Sequence, residues 1–92
     1  MTKYSIELTN KFKKQVKNCI KRGYKMQRLW DAMLQLEASG SLPSSYRPHK
    51  LKGNREGQWE CHIEPDWLMI WEQNDDIFTL LFIETGTHSD LF

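Results

Sequence analysis

Two cysteines in 92 residues, Cys19 and Cys61, are too few for a disulfide scaffold. Neither lies in a CxxC spacing, so zinc ribbons and thioredoxin-like redox motifs are excluded as well. Both read as small buried hydrophobes, Cys19 in a helical pattern and Cys61 in a strand. The longest apolar run, Ile77 to Ile83, is far short of the ~20 residues of a membrane span. No apolar stretch follows Met1-Thr2-Lys3-Tyr4, so no secretory signal is expected and a reduced cytoplasmic compartment is. The five glycines make no phosphate loop, because Lys52-Gly53-Asn54-Arg55-Glu56-Gly57 lacks the P-loop spacing. Repeats and low-complexity segments are also lacking. What remains is 39% hydrophobic and 27% charged, the balance of an ordinary folded domain rather than a disordered chain. A chain of this length buries about 65% of its surface on folding, enough for one thin core. One domain spanning residues 1–92 is therefore expected.

The other absence is of positive charge after residue 55. All 13 Lys and Arg lie in residues 1–55 with only three acids (Glu7, Asp31, Glu37), a balance of +10. Residues 56–92 carry nine acids and no Lys or Arg. The net charge of +1 thus hides a division of the kind found where a basic surface meets a polyanion. A second basic group, Arg47, Lys50, Lys52 and Arg55, shares its stretch with His49.

Hydrophobic periodicity supplies the elements. Lys3 to Leu8 alternates as a short strand. Thr9 is an N-cap candidate, and Phe12, Val16, Cys19 and Ile20 recur at helical spacing until Gly23. Met26, Leu29, Trp30, Met33 and Leu34 define a second helix that ends near Ser39-Gly40. The short link at Gly23-Tyr24 predicts an antiparallel helical hairpin. Residues 40–57 show no period and read as a long surface loop. Trp59 to Ile63 and Asp66 to Trp71 read as strands around a Glu64-Pro65 turn. After the turn Asn74-Asp75-Asp76, the run Ile77 to Ile83 is apolar on both faces, the pattern of a central strand, and Gly86 breaks it. The order β-α-α-β-β-β predicts an α+β fold, a helical hairpin on a mainly antiparallel sheet.

The three histidines, His49, His62 and His88, fall in loops or at strand ends, and Glu60 and Asp66 flank His62. Histidine is the side chain whose ordinary pKa lies nearest neutrality, so such a set suits acid–base work. Three imidazoles and a carboxylate also suit zinc, but no HExxH or comparable spacing supports a metal. Strand alternation puts Glu60 and His62 on one face. A three-residue hairpin loop would set His62 opposite Asp66; a two-residue loop at Glu64-Pro65 would set it opposite Trp67.

The segments His49-Lys50-Leu51-Lys52-Gly53, Glu60-Cys61-His62-Ile63-Glu64-Pro65-Asp66-Trp67-Leu68 and Thr85-Gly86-Thr87-His88-Ser89-Asp90-Leu91-Phe92, in series, closely resemble the YafQ-type toxins of the RelE superfamily. The resemblance implies a RelE-like fold and an mRNA endonuclease that acts in the ribosomal A site, needs no cofactor or metal, and stops translation. It implies mRNA, the ribosome and a cognate antitoxin as partners, and no membrane. It assigns His49, His62, Asp66, His88 and Glu60 to catalysis. Lys50, Lys52, Arg55, Trp67 and Phe92 are the substrate-binding candidates. A second reading keeps the fold but makes the chain a catalytically weak antitoxin partner and co-repressor. One departure stands out: many relatives carry Arg where this chain has Glu84. Lys50, Lys52 and Arg55 are then the candidate cations for the transition state.

Overall fold

The computed structural model describes residues 2–92. Strand β1 (Ser5–Leu8) leads into helix α1 (Asn10–Lys21), and helix α2 (Met26–Ser39) follows. Strands β2 (His49–Lys50), β3 (Gln58–Glu64), β4 (Trp67–Asn74) and β5 (Thr79–Gly86) come next, then a one-turn helix α3 (His88–Leu91). The sheet order is β1-β5-β4-β3-β2; β1 runs parallel to β5 and every other pairing is antiparallel. This is the expected α+β architecture. No helix among the described residues is long and apolar enough to cross a membrane.

The helices start and stop where the sequence places them. Thr9 Oγ1 accepts from the Phe12 N–H and caps α1. α2 ends on Gly40, whose left-handed φ of 77° lets its N–H reach the Leu36 carbonyl. The buried stripe is narrower than the pattern suggests. Phe12, Cys19, Leu29, Ala32, Met33 and Leu36 pack on the sheet, whereas Ile20 and Leu34 are more than half exposed. Each follows a buried residue by one position, about 100° around the helix, which carries it off the stripe.

Three strand boundaries differ from the sequence reading. Ile77 and Phe78 are exposed and lie in the turn, where Asn74 Oδ1 accepts from the Asp76 and Ile77 N–H groups. Phe78 has a φ of 52°, so β5 begins only at Thr79. Asp66 lies in the β3–β4 turn, not in β4. The stretch 40–57 is not one loop: it holds β2 and two short 3₁₀ turns, Ser44–Tyr46 and Gly53–Arg55. β2 forms because His49 and Lys50 pair with Glu60 and Trp59 of β3.

Two bulges set the faces of the sheet. Between His62 and Glu64 the β3–β4 register shifts at Ile63, and between Phe82 and Glu84 the β5 register shifts at Ile83. Phe82 therefore faces the helices with Cys61, Met69, Trp71 and Leu80, in the main core. Glu84, two residues later, pairs with Ile70 on the opposite face. There Leu68, Ile70 and Leu91 form a second, small cluster with Leu51 packed against it. His49, Glu60 and His62 stand in register with Leu68 and Ile70 on that face.

Candidate active site

The three histidines come from distant parts of the chain and stand in one row. His49 opens β2, His62 lies near the end of β3, and His88 begins α3. The ring centres of His49 and His62 are 6.4 Å apart, and those of His62 and His88 are 6.2 Å apart. Phe92 continues the row 6.2 Å beyond His88, and the Arg55 guanidinium lies 4.9 Å from the Phe92 ring.

Each outer imidazole has its own carboxylate. Glu60 Oε1 is 3.1 Å from His49 Nε2. Asp66 Oδ1 lies 3.0 Å from both the backbone N and the Nδ1 of His88. The His88 backbone N–H, then its side chain, hold the Asp66 carboxyl below the usual carboxylate range. The hairpin register explains why Asp66 serves His88 and not His62. The turn is Pro65-Asp66, and the bulge at Ile63 sets His62 opposite Leu68, neither of the expected partners. His62 Nδ1 sits 3.2 Å from the Pro65 carbonyl instead.

The acceptors assign the protons. A carbonyl can only accept, so His62 Nδ1 carries hydrogen and its Nε2 lone pair is left without a protein partner among the described residues. His49 has an oxygen at each ring nitrogen, the Arg47 carbonyl at 2.8 Å from Nδ1 and Glu60 at Nε2. Glu60 is buried, and its Oε2 is the buried side-chain atom without a hydrogen-bond partner among the described residues. Asp66 can accept from His88 Nδ1–H, which leaves Nε2 of that ring to face solvent chemistry. Two shallow pockets flank the Glu64-Pro65 segment: one of about 280 Å³ bordered by Asp66 and Thr87, one of about 180 Å³ bordered by His62, Arg28 and Arg47. Among the described residues no group of three or more His, Cys, Asp and Glu is arranged to hold a metal ion.

Not every expected substrate contact is in this row. Trp67 is 2% exposed and belongs to the core, where its Nε1–H donates to Thr85 Oγ1, so its ring has no free face for a base. Lys50 pairs with Trp59 and points to the opposite face from His49, its ammonium 5.5 Å from the Trp59 ring. Lys52 is exposed beside it, in a groove shared with Trp59 and Gln73. Arg55 and Phe92 do join the row.

Sequence reasoning missed the supports of α3. Thr87 Oγ1 accepts from the Asp90 N–H while Asp90 accepts from the Thr87 N–H, a capping box. Asp90 also binds Arg22 through two bonds of 2.6 and 3.0 Å. The Thr-x-x-Asp spacing was the readable signal; the Arg22 contact, 68 residues away, left none.

A small sheet with a helical hairpin on one face and paired imidazoles and carboxylates on the other is an arrangement suited to acid–base chemistry. A model of YafQ, bacterial toxin of a type II toxin–antitoxin system, matches residues 4–92, and the chain belongs to that family. It is 37% identical over 93 residues to the mRNA interferase toxin YafQ of Escherichia coli, covering 100% of this chain and 99% of that protein. The crystal structure of Escherichia coli YafQ is similar with a TM-score of 0.88 and 36% identity, covering 97% and 98% of the two chains. The Escherichia coli DinJ-YafQ toxin–antitoxin complex gives a TM-score of 0.86 and 36% identity, covering 98% of each chain. A metal-bound toxin from Helicobacter pylori gives a TM-score of 0.87 and 32% identity, covering 97% and 99%.

Proposed function

We propose that this toxin is an endoribonuclease that cleaves mRNA in the ribosomal A site and is neutralised by a cognate antitoxin, its work confined to the bacterial cytoplasm. The observation that carries the reading is the row of three imidazoles at spacings of 6.2 and 6.4 Å, its two ends paired with carboxylates. That spacing allows proton transfer on both sides of one phosphodiester.

The substrate's 2′-hydroxyl is the nucleophile. His62 takes its proton at the free Nε2, the 2′-oxygen attacks phosphorus in line, and the 5′-oxygen leaves. His88, held at Nδ1 by Asp66, protonates that leaving oxygen from Nε2. The products are a 2′,3′-cyclic phosphate and a 5′-hydroxyl. A positioned acid or base contributes about 10²–10⁴-fold. His49, held by Glu60, stands beside the phosphate and orients it. Phe92 offers an exposed ring on which a base can stack. The pockets beside Asp66 and His62 are places for the flanking nucleotides. No step in this scheme calls for a metal.

Expression in bacteria with 5′-end mapping of mRNA tests the proposal. The parent chain is expected to arrest growth and cut translated messages, and His62→Ala and His88→Ala to abolish both while the chain stays folded. Full toxicity in both variants would sink it. Cleavage is expected to survive a zinc-selective chelator while magnesium keeps the ribosome intact.

A further inference from the structure

Glu84 occupies the position where relatives were expected to carry Arg, yet it is not an orphan. It is 3% exposed, on the catalytic face of β5, turned there by the bulge at Ile83. Its Oε1 binds Lys11 Nζ at 2.9 Å, and its Oε2 accepts from Arg55 Nη1 at 2.5 Å. A buried carboxylate without partners would be costly, and two cations satisfy this one. The other end of Arg55 is what matters. Its Nη2 donates to the Leu91 carbonyl at 3.1 Å, and its guanidinium lies against the Phe92 ring. One planar fork thus links a rigid interior strand to the last two residues of the chain.

We infer that Glu84 is a positioning residue: through Arg55 it fixes the Leu91-Phe92 end of α3, and with it the placement of Phe92 and His88 in the catalytic row. The arrangement fits a strut better than a phosphate clamp. Arg55 spends one nitrogen on a carboxylate and the other on a carbonyl, so its charge is balanced and its fork is occupied. Lys11 replaces no part of this link, because its ammonium is mostly exposed and its one ion pair among the described residues is with Glu84. A catalytic group displaced by ~1 Å can lose ~10²-fold in rate, so a strut that places His88 acts chiefly on turnover.

The kinetic arm of the test rests on the ribonuclease proposal; the exchange arm does not. Amide hydrogen exchange is followed by NMR in the full chain, in Glu84→Gln and in Arg55→Lys, which keeps the charge and loses the fork. The reporters are the Phe92 and Leu91 N–H groups, bonded to the His88 and Thr87 carbonyls. Both variants are expected to exchange at these sites about tenfold faster, with the Leu68 and Ile70 amides of β4 unchanged. On ribosomes programmed with mRNA, both are expected to lower kcat by about tenfold or more, with the larger part of the loss in kcat rather than in KM. Unchanged exchange at Phe92 and Leu91 in both variants overturns the inference. Faster exchange at Leu68 and Ile70 as well also overturns it, since the contact would then serve the whole fold. An unchanged kcat with a raised KM in both variants assigns Arg55 to substrate binding and overturns it too. A parent chain that fails to cut mRNA counts against the ribonuclease proposal and leaves the exchange result to decide the strut.

Discussion

An imidazole passes a proton only through a ring nitrogen that its protein contacts leave open. Asp66 holds Nδ1 of His88 and the Pro65 carbonyl holds Nδ1 of His62, so each ring keeps its Nε2 open among the described residues. Asp66→Asn keeps an acceptor for the His88 backbone N–H and removes the charge. It is expected to lower kcat by about 10–10²-fold, within the usual span of one acid–base group, with the melting temperature little changed because Asp66 is exposed. The other carboxylate of this segment acts on shape. Arg22, then the Thr87 N–H, hold the Asp90 carboxyl far below the ordinary range. The unfolded chain, with Asp at its ordinary pKa of about 4, therefore takes up this proton first as pH falls. The stabilisation by Asp90 is complete above that pH and is lost progressively as the pH drops toward the folded value. NMR spectra are expected to show the α3 amides moving with acid before those of β4 do; simultaneous change would contradict a local role for Asp90.

At the scale of elements, periodicity revealed the hairpin of helices and the order of the strands, because burial repeats every 3.6 or 2 residues. What it could not reveal is where that period breaks. The bulge at Ile63 moved His62 past both expected partners to Leu68, and the bulge at Ile83 turned Glu84 to the face opposite Phe82. A bulge adds one residue and leaves no mark in an apolar run. The segment after residue 40 was illegible for a related reason: β2 is two residues long and exists only by pairing with β3. His49 reaches the row through that pairing. The turn into α3 depends on close approach instead. A Cβ on Gly86 would lie 2.7 Å from Asp90 Oδ2 and 2.9 Å from Asp90 Cβ. Gly86→Ala is thus expected to push α3 outward, break its capping box and cost about 1–3 kcal/mol by overpacking. A lower melting temperature together with a larger fall in kcat than in stability would be the signature. Wild-type values of both would mean that α3 yields without moving His88.

Across the whole molecule, the division of charge along the chain becomes a division between engaged and free side chains. Five of the nine acids of the second half are engaged: Glu60 by His49, Asp66 by His88, Glu84 by Lys11 and Arg55, Asp90 by Arg22, and Asp75 by Tyr4 and Gln73. The other lysines of α1 are not. Lys13, Lys14, Lys17 and Lys21 are exposed and make no ion pair among the described residues. A chain of net charge +1 therefore presents a positive helix to its surroundings. This much was legible in the sequence, since helical spacing and charge both survive without tertiary knowledge; which acids would be consumed was not. If the proposed substrate is RNA held on a ribosome, these lysines act through phosphate contacts that release counterions. Each such contact contributes about 0.7–0.9 to the slope of log affinity against log salt. Replacing Lys13, Lys14 and Lys17 by Gln is expected to weaken ribosome binding most at low salt and to flatten that slope, with the cleavage rate at saturation preserved. His88→Ala is expected to do the reverse, removing cleavage and leaving the slope intact. A slope that the triple replacement leaves untouched would move the RNA-facing surface off α1, because no change confined to the imidazole row alters the number of phosphates that the helix neutralises.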